Sequence, residues 1–370
     1  MTKVFLVCSG LGYINRGYET FTRECFDVLR HERNLDITLF KGNGKALPKE
    51  IPLKNLHRNS KLAILLGKLI RKNPYWIEEI TFFLSLLPHI HREKPDVIYL
   101  SDINLANFIR LWRTWTKQNY KVLFSNGGPV KPNYHFRWDW VHQVAPYHFK
   151  QAVKIGVSEH KQTLLPYGIN ISSELQTFTP SERKVWREKL QLPPDSPLIL
   201  AVGAISKKRK RMDYVIREIA NLSTPRPFLL LLGQKEDDST EIIALGNDLL
   251  GSENFQVRTV TKNEIKNYYK IADLFTLASL NEGFGIVYAE ALSYGLPCLA
   301  HDYETSRFVL GEMGYFADFN LPGSLSNLVD RVLQEHQAPN QKFLRHQDVY
   351  NRFSWDKLKS KYAELIESAS

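Results

Sequence analysis

The stretch Asn281-Glu282-Gly283-Phe284-Gly285-Ile286-Val287-Tyr288-Ala289-Glu290-Ala291-Leu292 sets two glutamates, with seven residues between them, around a glycine-broken helix start. Upstream, Asp273-Leu274-Phe275-Thr276-Leu277-Ala278 is a short apolar run of strand type. Downstream, Ile286 to Leu292 is apolar almost all round, as a buried helix is. Glu290 sits in its middle, and a buried carboxylate is costly unless a cation or a set of hydroxyl donors satisfies it. A ribose 2′,3′-diol supplies such donors. Glu282 precedes the helix, and the N–H groups of Gly283, Phe284 and Gly285 are expected in its first turn, where unpaired donors and the helix dipole favour an anion. Taken singly, Asn281 reads as an N-cap, Glu282 as a dipole-compensating acid and Glu290 as the partner of a core arginine. The pair with its Gly-Phe-Gly insert, followed by Ser293 to Ala300 as turn and strand, reads instead as a ligand site.

Outward from this block the chain alternates strands and helices. In the first half the strands are expected at Val4 to Ser9, Leu35 to Phe40, Asp96 to Leu100, Lys121 to Ser125 and Val153 to Val157, with helices at Gly17 to Glu32 and Leu105 to Lys117. The second half repeats the theme at Leu198 to Val202, Phe228 to Leu232, Phe255 to Val260, Leu274 to Ala278 and Pro297 to Ala300. This is an α/β doubly wound pattern, twice over. At 370 residues the chain is long for one core and fits two domains. Ser172 to Ser196, polar and punctuated by Pro180, Pro193 and Pro194, reads as the linker with one short helix. The expected division is 1–175, 176–353, and a C-terminal amphipathic helix over 354–370 with Trp355, Leu358, Tyr362, Leu365 and Ile366 on one stripe.

Hydrophobic residues make up 43% of the chain, enough for globular domains, and the formal charge of +10 suits anionic partners: nucleoside diphosphates, acidic lipid surfaces or nucleic acid. No zinc-finger, RNA-recognition or helix-turn-helix pattern occurs, so nucleic acid is set aside. Cys8, Cys25 and Cys298 stand in apolar contexts without metal or redox spacing, which reads as buried thiols in a reducing compartment. The opening apolar run is a first strand rather than a signal peptide, and no run approaches the ~18 apolar residues of a membrane span. The expected location is cytoplasmic or peripheral on the inner face of the membrane.

Ligands of open parallel sheets bind beyond the carboxyl ends of the strands, so the loops there carry the remaining candidates. Ser9-Gly10-Leu11-Gly12-Tyr13-Ile14-Asn15-Arg16-Gly17 is glycine-rich and leads into a helix. A dehydrogenase fingerprint would need glycine at Asn15 and an acid after Phe40, where Lys41 and Gly42 follow, which argues against NAD. Gly10, Gly12 and Arg16 read either as a phosphate contact or as a tight strand-to-helix turn. Asp102 and Asn126 read either as sugar-hydroxyl ligands or as helix cap and turn residues. His142 has aromatic neighbours and reads as a structural histidine or an acceptor ligand. The run Lys207-Lys208-Arg209-Lys210-Arg211 follows the strand ending near Gly203, where cations neutralise a diphosphate, Lys210 first and Arg209 second. Lys54 to Lys72 holds six cations and no acid, with Leu62, Leu65, Leu66 and Leu69 at helical spacing. It reads as a helix packed on its own domain or as a contact with an anionic membrane.

The Glu282–Glu290 block closely resembles the signature of family 4 retaining glycosyltransferases. Pro197 to Gly203 followed by Lys210 to Ile216 resembles that family's donor-phosphate motif, and Val157-Ser158 with Pro166 to Asn170, Phe178 and Pro180 resembles its interdomain segment. Ala204 stands where the family has arginine, Arg211 where it has the glycine after the lysine, and Tyr167 where it has asparagine. The resemblance implies the GT-B fold, two Rossmann-like domains facing a deep interdomain cleft, with the last helix returning to the N-terminal, acceptor-binding domain. It implies transfer of a hexosyl group from a nucleoside diphosphate sugar, with retention, to a glycan or lipid-linked acceptor. Glu290 would hold the ribose, Gly283, Phe284, Gly285 and Lys210 the diphosphate with Gly203 beside it and Arg209 or Arg211 as second cation, and Glu282 the sugar hydroxyls. The expected route is front-side displacement, in which the departing phosphate oxygen takes the acceptor's proton. No Asp-x-Asp motif occurs, so neither metal nor other cofactor is implied. A sugar-nucleotide epimerase on the same fold and a non-catalytic nucleotide-sugar binder remain alternatives, the latter favoured by Ala204.

Overall fold

Continuous apolar runs with turn residues at both ends form strands covered on both faces, and here they pair in parallel throughout. The computed structural model describes all residues except Asn15, Pro129, His336, Gln337 and Pro339. The fingerprint position at Asn15 therefore lies outside the described residues. The chain divides into two units, residues 1–170 with 355–370, and residues 171–354.

The first unit carries β1 (Thr2–Cys8), β2 (Leu35–Lys41), β3 (Glu50–Pro52), β4 (Val97–Leu100), β5 (Lys121–Asn126), β6 (Trp140–Gln143) and β7 (Gln162–Leu164) in one sheet of order β3-β2-β1-β4-β5-β6-β7. Val4 stands opposite Ile37 on one side and Val97 on the other. Its helices are α1 (Gly17–Leu29), α2 (Lys61–Leu69), α3 (Pro74–Glu93), α4 (Ile103–Thr116) and α5 (Pro146–Lys154), joined by the C-terminal helix. Val153 to Val157, expected as a strand, is instead the end of α5 and the turn after it, because Pro146 opens a helix that runs through Lys154. Three strands of this unit were not expected: β3, β6 and β7 are short and polar.

The second unit carries α6 (Pro180–Lys189), β8 (Leu198–Val202), α7 (Met212–Ala220), β9 (Phe228–Leu232), α8 (Ser239–Leu250), β10 (Phe255–Arg258), α9 (Lys262–Ile271), β11 (Leu274–Leu277), α10 (Ile286–Ser293), β12 (Cys298–His301), α11 (Glu304–Leu310), β13 (Gly314–Ala317), α12 (Ser324–Gln334) and α13 (Gln341–Phe353). The sheet order is β10-β9-β8-β11-β12-β13, with Leu200 opposite Leu230 and Phe275. One core gathers Ile199, Ala201, Met212, Val215, Ile216 and Leu231 between sheet and helices.

The last helix, α14 (Trp355–Ser368), buries Trp355, Leu358, Tyr362, Leu365 and Ile366 within the first unit, beside α1. The Trp355 indole N–H donates to Glu24 at 3.1 Å and the Tyr362 hydroxyl to the Pro166 carbonyl at 2.8 Å. The ring of Tyr167 stacks on Phe21 at 4.2 Å in the same core. All three cysteines are buried and unpaired.

Candidate functional site

In both sheets the strand order reverses at one seam, β1 against β4 and β8 against β11, and a parallel sheet leaves its ligand crevice at that seam beyond the strand ends. In the second unit the loop after β8 and the loop after β11 each send one charged side chain to meet there. Lys210 Nζ is ion-paired with Glu282 Oε1, both side chains largely buried. The Lys210 stem lies over Gly203, where an added Cβ would stand 3.3 Å from it. Tyr303, after β12, donates its hydroxyl to the Glu282 carbonyl at 3.5 Å. The seam thus holds Gly203, Lys210 and Glu282 together.

Three further side chains at the same carboxyl edge had no signal in the sequence beyond being short and polar after a strand. Ser206 follows β8, Ser279 follows β11 and Thr305 follows β12; all three hydroxyls are buried and lack a hydrogen-bond partner. A buried hydroxyl without a partner is costly, and a ligand at this edge would relieve it.

Helix α10 begins later than expected. Gly283 and Phe284 precede it, and Gly285, at φ +83°, is its N-cap, a left-handed conformation that glycine tolerates. The first turn therefore belongs to Ile286, Val287 and Tyr288, with the Tyr288 N–H returning to the Gly285 carbonyl at 2.9 Å. Asn281 is exposed and caps nothing, and the Phe284 ring is core, edge-on to Phe353 at 5.3 Å. Glu290 is half-buried rather than enclosed; it accepts from the Tyr269 hydroxyl at 3.0 Å, and Tyr269 stacks on Tyr294 at 5.5 Å. The hydroxyl donor that an apolar helix face demanded is thus supplied in part by α9.

The other cations of the basic run point elsewhere. Arg209 is 57% exposed and paired with Glu236 at 2.5 Å, after β9. Arg211, left-handed at φ 49°, lies 4.3 Å over the Tyr214 ring and donates to the Phe319 carbonyl at 2.9 Å. Neither shares the Glu282 carboxylate with Lys210, so Lys210 is the cation of the run that meets Glu282.

At the seam of the first unit the polar groups are packed against each other. Asp102 accepts from the Ser9 N–H at 3.2 Å and from the Tyr75 hydroxyl, and the Ser9 hydroxyl lies 3.1 Å from both Asp102 and Glu78. Arg58 grips Glu78 through Nε at 2.9 Å and Nη2 at 2.6 Å, with its guanidinium 3.8 Å over Tyr75. Burial pushes the Glu79 carboxyl up to about 8, with Asp102 adding repulsion, and burial pushes Glu19 up to about 7. Burial raises Asp102 as well.

The glycine loop serves this packing. Gly10 lies beneath Glu19 and Arg58, and Gly12, at φ +95°, lets the loop come so close to the Asn43 carbonyl that a Cβ would stand 2.4 Å from it. Leu11, Tyr13 and Ile14 already spend their N–H groups on Cys8 and Gly10, while Arg16 precedes α1 and is exposed.

Asn126 is fully buried in an amide ladder, donating to Gln143 at 2.7 Å, which donates on to Gln162 at 2.7 Å. His142 is also fully buried, with Nδ1 at 2.7 Å from the Tyr99 hydroxyl and Nε2 at 2.7 Å from the Leu165 carbonyl. Burial lowers its pKa to about 4. With both ring nitrogens engaged and no exposed surface, His142 is structural, which corrects its reading as an acceptor ligand.

Residues 182–345 match the family described as glycosyl transferases group 1. The chain is similar to D-inositol 3-phosphate glycosyltransferase of Xylanimonas cellulosilytica, 26% identical over 53% of this chain and 50% of that one. Its counterpart in Mycobacterium sp. strain KMS is 30% identical over 45% of this chain and 38% of that one. The chain spans about half the length, or less, of these relatives. Among solved structures, sucrose-phosphate synthase of Thermosynechococcus elongatus superposes with a TM-score of 0.79 at 17% identity, covering 99% of this chain and 98% of that one. Anabaena HepE in complex with UDP and glucose superposes at 0.77 with 15% identity over 100% of both chains. The fold is thus two Rossmann-like domains of the GT-B type, and within it residues 182–345 match the glycosyl transferases of group 1.

Proposed function

We propose that the protein is a retaining glycosyltransferase that moves a hexosyl group from a nucleoside diphosphate sugar to a glycan or lipid-linked acceptor. The observation that carries this reading is the Lys210–Glu282 pair at the seam of the second sheet, with three unsatisfied hydroxyls at the same edge. A diphosphate arriving there competes with Glu282 for the Lys210 ammonium, which releases the carboxylate to accept from the donor sugar's hydroxyls. Lys210 then stabilises the leaving group as negative charge builds on it. Glu290, half-buried and already holding one hydroxyl, takes the ribose. In front-side displacement the departing phosphate oxygen receives the acceptor's proton, so no side chain need act as general base. HepE binds UDP and glucose, which makes uridine diphosphate sugars the first donors to try.

Thermal stabilisation across UDP-, GDP- and ADP-sugars reports the donor, because stabilisation grows with affinity. One class is expected to raise the melting temperature, and with an acceptor it should yield a glycoside of the donor's anomeric configuration by NMR. Binding with altered nucleotide sugar and no acceptor needed would favour an epimerase. Binding without turnover on any acceptor would leave a sensor.

A further inference from the structure

Helix α2 presents the wrong side of itself to water. A helix with leucines at Leu62, Leu65, Leu66 and Leu69 is expected to bury that stripe on its own domain. Instead α2 packs on α3, and the residues it buries are the small ones, Ala63 and Gly67. A Cβ at Gly67 would come within 2.7 Å of the Lys72 carbonyl, so the close seat depends on a small residue there. Leu65 is left 63% exposed and Leu69 77%, with Leu62, Ile64 and Ile70 exposed beside them. A contiguous apolar face of this kind marks an interaction surface.

The charges around it say what kind. Lys61 and Lys68 on the helix, Arg71 and Lys72 just after it and Lys54 before it are exposed, and no acid interrupts residues 54 to 72. Arg58, the sixth cation of the stretch, turns inward to Glu78. Among the described residues no ion pair engages the other five. An apolar strip edged by unpaired cations matches a layer with anionic headgroups above hydrocarbon, into which an interfacial helix sinks its apolar face by about 5–10 Å. Among the described residues no helix is long and apolar enough to cross a membrane, so the contact is lateral.

We propose that the outward face of α2, with Leu62, Leu65, Leu69 and Ile70 in its centre and Lys61, Lys68, Arg71 and Lys72 at its rim, docks the protein on an anionic phospholipid surface. This stands apart from the reading of the second unit, and either can fail alone.

The test uses the full chain and vesicles of phosphatidylcholine with or without phosphatidylglycerol. The native cysteines are buried, so an environment-sensitive fluorophore can be placed by Leu69→Cys, with Ser252→Cys in the second unit as control. Co-sedimentation is expected with the anionic vesicles, weakening as salt rises, and the label at position 69 should shift to the blue while that at 252 does not. Lys68→Gln with Lys72→Gln should weaken binding about 25-fold, at about fivefold for each cation. Leu65→Ser with Leu69→Ser should release the protein from anionic vesicles at moderate salt, and circular dichroism should show both pairs folded. No sedimentation with anionic vesicles, or sedimentation unchanged by both pairs, overturns the proposal; the former would point to an acidic protein partner instead.

Discussion

The two sheets share a strand order and a reversal seam, yet the seams are filled in opposite ways. In the first unit, between β1 and β4, Arg58, Tyr75 and Ser9 spend their hydrogen bonds on Glu78 and Asp102, Glu79 accepts from Asn104 and the Leu105 N–H, and Glu19 lies buried beside them. In the second, between β8 and β11, one lysine meets one glutamate while Ser206, Ser279 and Thr305 keep hydroxyls without partners. The difference teaches that topology fixes where a crevice lies but not whether it is open for a ligand. That is decided by whether the loops' own side chains satisfy each other. A surplus of acid makes the first seam sensitive to protonation, and a cation beside unsatisfied donors makes the second seam sensitive to an anion.

The largest expected break in this comparison is Lys210→Ala. If Lys210 is the cation that meets the leaving group, its loss should lower kcat by about 10²–10³, or ~2.7–4 kcal/mol, as removal of one preorganised electrostatic group does. Arg209→Ala is the control, since its guanidinium is exposed and held by Glu236, and steady-state rates should change less than twofold. Equal losses in both variants would mean that the basic run acts as a diffuse patch and that the Lys210–Glu282 geometry is incidental.

The next concerns pH. Glu79 is raised to about 8 and Glu19 to about 7 from an ordinary 4.5, so between these limits the folded chain binds more protons than the unfolded one. Their contribution is fully present below pH 4.5 and is lost as pH rises through about 7 to 8, at about 1.4 kcal/mol per pH unit for each group ionising. Asp273 of the second unit has the opposite sign: burial raises it, but Arg183 and Arg187 outweigh burial and hold it below the ordinary value. Its contribution is therefore lost on acidification. Calorimetry should show the melting temperature falling between pH 6 and pH 8.5, with Glu79→Gln flattening that fall. Parallel curves for variant and wild type would remove the carboxylate cluster as the cause.

These contrasts were only half legible in the sequence. The core strands β8, β9 and β11 show as unbroken apolar runs because both sheet faces are covered, and the Glu282–Glu290 block shows because its parts are contiguous. Strands β6 and β7 do not, because His142, Gln143 and Gln162 are satisfied by side chains and backbone on neighbouring strands and loops, which no local pattern reveals. The Arg58–Glu78 grip joins residues 20 apart with α2 between them, and nothing in either neighbourhood announces it. The leucine stripe of α2 was visible, but its direction was not, since Ala63 and Gly67 decide which side seats on α3. The directions of Arg209 and Arg211 depend on the loop after β9 and on Tyr214, and spacing could not separate them from Lys210.

The smallest effect, and the sharpest discrimination between an open and a closed seam, comes from Ser279→Ala. Ser279 is fully buried just after β11, and its hydroxyl has no partner. If ligand is what it awaits, the free protein gains nothing from it, and burying it unsatisfied costs about 1–3 kcal/mol. The alanine variant should then melt at the same temperature as the wild type or higher. Its affinity for the nucleoside diphosphate sugar should nevertheless fall about fivefold, the ~1 kcal/mol worth of one neutral hydrogen bond. The equivalent truncation in the first seam, Ser9→Ala, removes a hydroxyl already shared between Glu78 and Asp102 and should lower the melting temperature without moving donor affinity. If instead Ser279→Ala melts lower and binds the nucleotide sugar unchanged, its hydroxyl is structural, and the second seam is as closed as the first.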